Sequence, residues 1–399
     1  MLLKSFSIQH YKSIANIHCD NLNPISVFVG SNAAGKSNII DALRFLRDSI
    51  AHGLDHAISM RGGIEVIRQY SPTRPFHTTI SVNFMQQFEE DTERVASYEF
   101  TIASLEGGNY RVEKEKATWY DDTEAEDSEG SFFPSRLVMK TFTRNSNGEI
   151  EIGGHRLRQK ATIDQLAVGV GRASLRAVAY TIVSALSRLR FSALYPNTLR
   201  TPARPDIDRN LKESGENWAS ILKALRQSER GRGAIKRILE MMRLVMPTLQ
   251  DVTVKGVGGY LVPQFLVQDT ARSKKHYFDP VQLSDGTLRI FGILLSLYQM
   301  PPPMFIAIEE PELTVHPGIL TMLADAFKEA SENTQIIITS HSPHLVDLFD
   351  PHQIYVVKLI NGETRISPIK ASQVESVKEH LTSIKELMMM EGLQPDEDL

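Results

Sequence analysis

The sequence predicts an α/β protein with a largely parallel sheet, an N-terminal antiparallel β region and a helical insertion. Strand-like runs separated by turn dipeptides follow one another over residues 77–152. Apolar residues then recur at helical spacing over residues 162–246. From Gly286 onward, helical stripes alternate with short apolar runs, which is the pattern of a parallel sheet. We therefore expect an N-terminal lobe over residues 1–161, the helical insertion over 162–246 and a C-terminal lobe over 247–399.

Composition and charge narrow the classes of function. The 399 residues include 44 basic and 48 acidic side chains, and the net charge of −4 argues against a protein that is basic all over. The one cysteine, Cys19, leaves no disulfide framework and no cysteine-based metal site. The N-terminus is too polar for a secretory signal, and no apolar run approaches the roughly 20 residues of a membrane span. We expect a cytoplasmic protein without direct membrane contact.

The first motif that carries chemistry is GSNAAGKS, Gly30–Ser37. It fits the phosphate-loop pattern G-x-x-x-x-G-K-[ST], follows an apolar run and opens an amphipathic segment, as that pattern requires. Backbone amides of such a loop surround phosphates at a helix N-terminus, while Lys36 would reach the β- and γ-phosphates and Ser37 would bind Mg²⁺. The residues expected to contact ATP are Gly30, Asn32, Ala33, Ala34, Gly35, Lys36, Ser37 and Asn38. The alternative is a glycine-rich turn between a strand and a helix.

The second motif is a pair of adjacent acids at the end of an apolar run, FIAIEE. A phosphate-loop site needs an acid at the end of a neighbouring strand to hold Mg²⁺. Glu309 would serve Mg²⁺, directly or through water, and Glu310 would polarise the attacking water. Asp is usual at the first position, and the extra methylene of Glu309 favours a water-mediated contact. The alternative is a solvated strand end.

Two further features accompany these motifs. In QLSDGTLRIF, Ser284 is a candidate N-cap and Gly286 lies in the first turn of an apolar helix, so the helix N-terminus offers a second anion site. The apolar run IIITS ends next to His341. Taken alone, Ser284 is only a helix cap and His341 is a structural residue at a strand end.

The segments Gly30–Ser37, Leu283–Gly286 and Phe305–Glu310, followed by His341, occur in the order typical of the ABC ATPase superfamily. The chain resembles the SMC, RecF and OLD side of that superfamily, and GKSNIIDAL, EEPELTVHP and TSHSP are similar to the OLD-like and RecF-like bacterial AAA-family ATPases. The resemblance implies an ABC-type P-loop ATPase domain made of the two lobes, with the helical insertion as a lid. It also implies that Ser284 and its helix end contact the γ-phosphate bound by the other protomer, and that His341 senses the γ-phosphate.

The resemblance implies two further site residues. Gln69 is the candidate for the glutamine that senses Mg²⁺ in this family. Lys12 lies in an N-terminal element near the nucleotide, from which it would reach phosphate; the alternative is an exposed hairpin lysine. No cluster of acids follows His341, so we do not expect the Toprim-type nuclease of OLD proteins in this chain.

The expected function is an ATP-hydrolysing switch that forms a homodimer, or a higher homo-oligomer, by sandwiching ATP and Mg²⁺ between protomers. We expect a sensor ATPase of an anti-phage defence system that controls a separately encoded nuclease or toxin. The alternative is a RecF-like ATPase that binds DNA in repair, for which the basic stretch Arg226–Arg237 would meet phosphates. A transporter motor is a third class, but those ATPases usually read LSGGQ and carry Asp before the catalytic Glu, and this chain has neither.

Overall fold

The computed structural model describes residues 2–70, 77–87, 93–123, 136–162, 164–167, 182–268 and 274–396. The chain forms two units, and each unit is assembled from separate stretches of sequence. The first unit comprises Met1–Leu22, Asn32–Leu189 and Val357–Ser367. The second unit comprises Asn23–Ser31, Arg190–Val356 and Pro368–Leu399.

Strands and helices of the described residues are numbered here in chain order. The strands are β1 (Leu2–Tyr11), β2 (Ile14–Cys19), β3 (Ile25–Val29), β4 (Thr78–Gln87), β5 (Glu93–Ser104), β6 (Tyr110–Thr123), β7 (Arg136–Arg144), β8 (Glu149–Ile152), β9 (His155–Lys160), β10 (Leu189–Ser192), β11 (Leu249–Val257), β12 (Tyr260–Gln268), β13 (Lys275–Phe278), β14 (Phe305–Glu309), β15 (Gln335–Ser340), β16 (Ile354–Ile360) and β17 (Glu363–Pro368). The helices are α1 (Lys36–Ala51), α2 (Leu54–Ser59), α3 (Ile64–Ile67), α4 (Pro196–Arg200), α5 (Trp218–Gln227), α6 (Glu229–Val245), α7 (Asp285–Tyr298), α8 (Leu320–Ala330), α9 (Pro343–Val346), α10 (Ala371–Lys378) and α11 (Ile384–Met390).

An antiparallel sheet dominates the first unit. Among the described residues its strand order is β2-β1-β4-β5-β6-β7-β8-β9. In β5, Ala96, Tyr98 and Phe100 are buried while the residues between them are less so, as expected for a sheet with one face on a core. This sheet confirms the antiparallel region that the strand-like runs predict.

Helix α1 supplies apolar side chains to the core of the first unit. The ring of Phe45 lies 5.8 Å from that of Tyr11 in β1 and 6.1 Å from that of Phe100 in β5. The apolar positions that predict this helix are all buried: Ile39, Ile40, Ala42, Leu43, Phe45 and Leu46. The phosphate-loop motif is therefore followed by a helix whose orientation is fixed by aromatic packing.

Asp41 of α1 is the centre of a charge cluster in the first unit. Its carboxylate accepts hydrogen bonds from Lys12 Nζ at 2.6 Å, from the Tyr11 hydroxyl at 2.7 Å and from Arg61 Nε at 3.1 Å. Burial opposes ionisation, but the hydrogen bond from Lys12 and the charge of Arg61 outweigh it and hold the pKa of the Asp41 carboxyl below its ordinary value. The cluster joins α1 to the β1–β2 turn and to the segment after α2.

A parallel sheet forms the centre of the second unit. Strand β15 pairs in parallel with β14 on one side and with β3 on the other. Strand β16 continues the parallel pairing beyond β3, and β10 lies beyond β14. β16 begins in the second unit and ends in the first, where the chain turns into β17. A separate antiparallel sheet of β11, β12 and β13 belongs to the second unit.

Helices α5, α6, α7 and α8 contribute buried side chains to one apolar core in the second unit. Phe291 of α7 lies in its centre, with its ring 5.6 Å from Trp218 of α5 and 5.2 Å from Phe265 of β12. This aromatic cluster fixes the position of α7, whose first turn carries Gly286. No helix within the described ranges is both long and apolar enough to cross a membrane.

Within the segment 162–246, whose apolar spacing predicts helices, the structure differs after residue 187. Residues 168–181 lie outside the described part of the chain, and residues 182–187 are helical. The chain then becomes strand β10, in which the ring of Phe191 lies 6.2 Å from that of Phe305 in β14. Sheet pairing and this aromatic contact override the helical spacing of the preceding residues.

Replacing Asp41 with Asn tests the charge cluster. The substitution leaves Lys12 and Arg61 without their shared carboxylate, so we expect a loss of about 1–3 kcal/mol in the free energy of unfolding at neutral pH. The folded pKa of Asp41 lies below the unfolded value of about 3.9. Its contribution is therefore fully present above that value and is lost as the pH falls through the folded pKa.

Urea unfolding of the parent and D41N should thus differ most near neutral pH, and the difference should shrink in acid. The exposed Asp325 of α8 provides the control, because D325N removes a carboxylate that is not buried. Equal stability of D41N and the parent at neutral pH would contradict the role given to the cluster.

Candidate functional site

Three predicted segments meet at one edge of the parallel sheet in the second unit. Glu309 pairs with Thr339, and Ser340 pairs with Val29, the last residue of β3. The chain therefore leaves β3 at Gly30, leaves β14 at Glu310 and leaves β15 at His341 on neighbouring strands. The carboxyl ends of parallel strands are where ligands bind in open α/β sheets.

The backbone of Glu310 has a left-handed conformation, with φ of 45°. Its N–H donates to the carbonyl oxygen of Thr339 at 2.9 Å, and its own carbonyl oxygen accepts from Arg289 Nη2 at 2.9 Å. Such a conformation costs a residue other than glycine about 1–3 kcal/mol, and it persists only where the surroundings impose it. Two neighbouring elements thus fix the position from which the Glu310 side chain projects.

Glu312, which lies two residues after Glu310, forms hydrogen bonds to the chain at the end of β15. Its Oε1 accepts from the Ser340 hydroxyl at 2.6 Å and from the backbone N–H of His341 at 3.2 Å. The His341 Nδ1 atom lies 3.5 Å from Glu310 Oε1 and 3.8 Å from Glu312 Oε1. The structure therefore brings Glu310 and His341 together, as their strand positions predict. Within the described residues, the buried Oε2 of Glu312 has no hydrogen-bond partner.

The stretch Leu283–Gly286 forms the start of helix α7. Ser284 is the N-cap, and its side chain accepts from the N–H of Thr287 at 3.2 Å, as its sequence position predicts. A Cβ atom on Gly286 would lie 2.4 Å from the carbonyl oxygen of Thr314, so this position requires glycine. Thr314 follows the Glu310 turn, and the helix start is therefore packed against the segment that leaves β14.

Arg200 of α4 also holds the start of α7. Its Nη2 donates to the carbonyl oxygen of Leu283 at 2.9 Å and to the Asp285 carboxylate at 2.5 Å. A carboxylate in the first turn of a helix is stabilised by the helix dipole as well. Arg200 therefore restrains both neighbours of the N-cap residue Ser284, namely Leu283 and Asp285.

The later part of the phosphate-loop sequence belongs to the first unit. Gly35 is the N-cap of α1 with φ of 100°, and a Cβ atom there would lie 1.9 Å from Thr364 Oγ1. The Thr364 hydroxyl donates to the carbonyl oxygen of Ala34 at 3.2 Å. It also lies 2.7 Å from the Ser13 hydroxyl, which accepts from Asn38 Nδ2 at 2.7 Å. The hydroxyl groups of Thr364 and Ser13 thus form a hydrogen-bond network that stabilises this part of the loop.

The N-terminus of α1 fits an anionic group. Gly35 provides no side-chain cap, and the first turn contains no acid. Uncapped amides at a helix N-terminus, together with the helix dipole, favour phosphate. Lys36, a residue that is 5 % exposed, follows Gly35 directly, and Ala33 has a φ of 64°.

Carboxylates at the sheet edge in the second unit fit a hard cation. Glu309 ends β14 and Glu310 follows it, and carboxylate oxygens are among the ligands that Mg²⁺ prefers. Mg²⁺ in nucleotide sites is usually held by one or two protein ligands together with phosphate oxygens. No group of three or more His, Cys, Asp or Glu side chains within the described ranges is arranged to hold a metal ion.

Two predicted site residues have partners in the first unit. Lys12, in the β1–β2 turn, pairs with Asp41 as described above. Gln69 follows α3, and its Oε1 atom lies 2.8 Å from His10 Nδ1. Their predicted roles toward phosphate and Mg²⁺ stay predictions.

Three residues that contribute to these arrangements carry no assignment from the sequence: Arg200, Arg289 and Thr364. Arg289 had a signal, since it is the only charge in the apolar run from Leu288 to Tyr298. Arg200 and Thr364 had none, because their contacts join segments far apart in the chain.

The chain matches the protein family described as "AAA domain, putative AbiEii toxin, Type IV TA system" over residues 25–347. This range contains the phosphate loop, the strand that ends at Glu309, the start of α7 and His341. No curated protein sequence matches the chain.

Two solved structures have a similar fold. One is the Smc head bound to the C-winged helix domain of ScpA, with a TM-score of 0.57, 13% sequence identity and coverage of 94% of this chain and 100% of that chain. The other is the Smc head domain with an extended coiled coil bound to the C-terminal domain of ScpA, derived from Pyrococcus furiosus; its TM-score is 0.55, with 13% identity and coverage of 95% and 99%. At such identity the likeness shows the fold alone.

These findings confirm the predicted fold class, a mixed α/β fold similar to that of Smc head domains, with an antiparallel β region. Family and fold together make the chain an ATPase of the P-loop class, for which ATP is the nucleotide.

Replacing Gly35 with Ala tests the support behind the phosphate loop. The new methyl group would collide with Thr364, and alanine disfavours the φ of 100°, so the loop must shift. We expect ATP affinity, measured by calorimetry, to fall at least tenfold. Gly53 offers a matched control, because it has a φ of 92° but nothing within 4 Å of its Cβ position. G53A also introduces a side chain at a positive φ, but without a collision, and it should bind ATP like the parent. Equal ATP binding by G35A and the parent would refute the role given to the contact with Thr364.

Proposed function

The chain belongs to the family of AAA domains that it matches, and we propose that it is an ATP-driven switch that dimerises around two nucleotides. The observation that carries this proposal is the convergence at one sheet edge of Gly30, the Glu309–Glu310 pair and His341. A phosphate-loop start, two carboxylates and an imidazole on adjacent strand ends are the parts that hydrolysis of a phosphoanhydride needs.

In this proposal, Lys36 and the amides at the start of α1 bind the β- and γ-phosphates. Ser37 and Glu309 would hold Mg²⁺, with Glu309 acting directly or through water, and Gln69 would be the residue that senses the ion. Bound Mg²⁺ would neutralise charge on the phosphate oxygens. Lys12 would leave Asp41 to meet phosphate. Loop contacts from Asn32, Ala33, Ala34, Gly35 and Asn38 complete the cradle on one protomer.

Glu310 then acts on the attacking water. Its carboxylate accepts a hydrogen bond from that water, while His341 steadies the γ-phosphate. A bond forms between the water oxygen and the γ-phosphorus, and the bond to the β–γ bridging oxygen breaks. The water gives up a proton, first to Glu310 and then to phosphate, and the products are ADP and phosphate. The 3.5 Å separation of Glu310 and His341 supports this pairing, because both would face one phosphoryl group.

The other protomer completes each site through Ser284 and the helix end at Gly286. The N-terminus of α7 would bind the γ-phosphate of its partner's ATP, as a helix N-terminus does for anions. ATP thus favours the closed dimer because it makes contacts that the open state lacks, and hydrolysis removes the phosphate that joined the protomers.

We place this switch in an anti-phage defence system, where it holds or releases a separately encoded nuclease or toxin. The description of its family, which refers to a toxin and to type IV toxin–antitoxin systems, supports that setting. The proposed division into lobes 1–161 and 247–399 around a lid at 162–246 offers the lid as the surface that contacts the effector.

A DNA-binding role is the second candidate, and a basic cleft in the second unit favours it. The cleft encloses about 370 Å³ and is lined by Arg226, Arg232, Lys236 and Arg243, by apolar residues, and by Asp251, which pairs with Arg226. Arg232 and Lys236 are exposed on α6. Such cations would meet backbone phosphates in a salt-dependent manner.

Replacing Glu310 with Gln tests the chemical step. The amide keeps the size of the side chain but accepts protons poorly, so we expect hydrolysis to fall roughly 100-fold or more while ATP affinity is retained. Sedimentation should then show an ATP-dependent dimer that persists. Lys36→Ala should bind no ATP, and Glu332→Gln, at an exposed acid after α8, should behave like the parent. Hydrolysis by E310Q at the parent rate would rule out the role of Glu310.

Co-expression with the product of the neighbouring gene separates the two candidate roles. We expect that product to co-purify with the chain and its retention to change between ATP and ADP, because the closed dimer would present a different surface. Fluorescence anisotropy with duplex DNA at low and moderate salt provides the comparison. Salt-dependent DNA binding that requires ATP, without retention of the neighbour, would favour the second role over the first.

A further inference from the structure

Arg289 is a buried charge within the apolar helix α7. Its side chain belongs to a residue that is 9 % exposed, and the neighbours Leu288, Ile290 and Phe291 are buried apolar residues. Placing a charge in such surroundings is costly unless it is well bonded. The position of Arg289 therefore calls for an explanation beyond the packing of the helix.

The guanidinium of Arg289 bonds three backbone carbonyls on two other segments. Nη1 donates to the carbonyl oxygen of Leu194 at 2.9 Å. Nη2 donates to the carbonyl oxygens of Glu309 at 3.2 Å and Glu310 at 2.9 Å. The planar guanidinium of arginine suits this arrangement, because its two terminal nitrogens have a fixed separation and can donate to two segments at once. Lysine offers a single nitrogen at the end of a flexible chain.

Nearby acids help to keep this charge in place. Burial lowers the pKa of the Arg289 guanidinium below its ordinary value, while the charges of Glu312 and Glu310 oppose the shift. Arginine remains protonated in proteins even so. The side chain is thus a permanent cation that is bonded to three carbonyls and favoured by the charges of two acids.

The carbonyls that Arg289 binds flank the proposed catalytic side chain. The Glu309 carbonyl and the N–H of Glu310 belong to one peptide group, and the Glu310 carbonyl begins the next. That N–H is already bonded to Thr339. Arg289 therefore restrains the peptide groups on both sides of the Glu310 Cα atom, at a residue whose φ of 45° needs restraint.

Helix α7 connects this contact to the residue that would meet the partner's nucleotide. Ser284 is its N-cap, and Arg289 lies five residues further on, little more than one turn along the same rigid element. A displacement of the helix start would therefore move the guanidinium. Arg200 and the Gly286–Thr314 approach restrain the same helix start from two sides.

We propose that Arg289 is a positioning residue that couples the start of α7 to Glu310, so that contact of Ser284 with a partner's nucleotide sets the orientation of the catalytic carboxylate. This inference rests on the proposed function. In the dimer switch, formation of the closed state would then change the position of Glu310 in each protomer through α7 and Arg289. The alternative is that Arg289 only satisfies buried carbonyls.

Arg289→Lys tests the coupling, because lysine keeps the charge but loses the planar guanidinium. We expect kcat to fall roughly 10- to 100-fold, as for a misplaced catalytic group, while ATP affinity measured by calorimetry stays within about twofold of the parent. Hydrogen exchange of the amides from Glu310 to Val315 should become faster. Arg144→Lys is the matched control and should leave kcat unchanged, since the buried Arg144 of β7 also donates to two backbone carbonyls, of Val112 at 2.6 Å and of Thr162 at 2.7 Å.

A double variant separates positioning from general destabilisation. If Arg289 acts through Glu310, single-turnover hydrolysis by R289K/E310Q should match that of E310Q alone, because the group that Arg289 orients is already lost. A further loss of the same size as in R289K, or an unchanged kcat in R289K, would overturn the inference. Failure of the proposed function has a different signature: no ATP turnover in the parent, or E310Q hydrolysing at the parent rate, overturns that function and the coupling with it.

Discussion

The parallel register of β3, β14 and β15 is the constraint on which the candidate site depends. β3 and β15 are buried along their whole length, and β14 is buried up to Glu309. Strands enclosed on both faces leave little room for charged side chains except at their ends. A slip of one residue would draw Glu309 into the interior, where an unpaired carboxylate is costly. The register that preserves the core is therefore the one that aligns the loop, the acids and the histidine.

At Glu310, the surrounding structure imposes a backbone conformation that the local sequence disfavours. Its left-handed backbone is unusual for a glutamate, and a residue before proline, here Pro311, normally favours extended backbone. Hydrogen bonds on both sides of the residue, to Thr339 and from Arg289, impose the conformation. Strain that is maintained by several neighbouring elements is typical of functional positions. It supports the assignment of the chemical step to Glu310 more than to Glu309.

The sequence predicts the parts of the site whose chemistry lies in contiguous residues. The motif Gly30–Ser37 requires a strand before it and a helix after it, and the apolar patterns of the adjacent residues predict both. The N-cap role of Ser284 is equally local. Thr364 could not be found this way, because the groups it supports, Ala34 and Ser13, are more than 300 residues away in the chain. The strand β10 was missed for the same reason, since its pairing partner β14 lies far along the sequence.

Asp285 explains why the start of α7 can depart from the glycine-rich signature of transporter ATPases. Its carboxylate lies where the helix dipole favours negative charge, and Arg200 neutralises it while also binding the Leu283 carbonyl. Arg289 in turn binds the carbonyl of Leu194, six residues before Arg200. The stretch from Leu194 to Arg200 is thus joined to α7 at both of its ends. One arginine acts at the helix start and the other about one turn later, so a movement of the helix would disturb the Glu310 backbone. In the proposed mechanism this short stretch therefore takes part in the coupling.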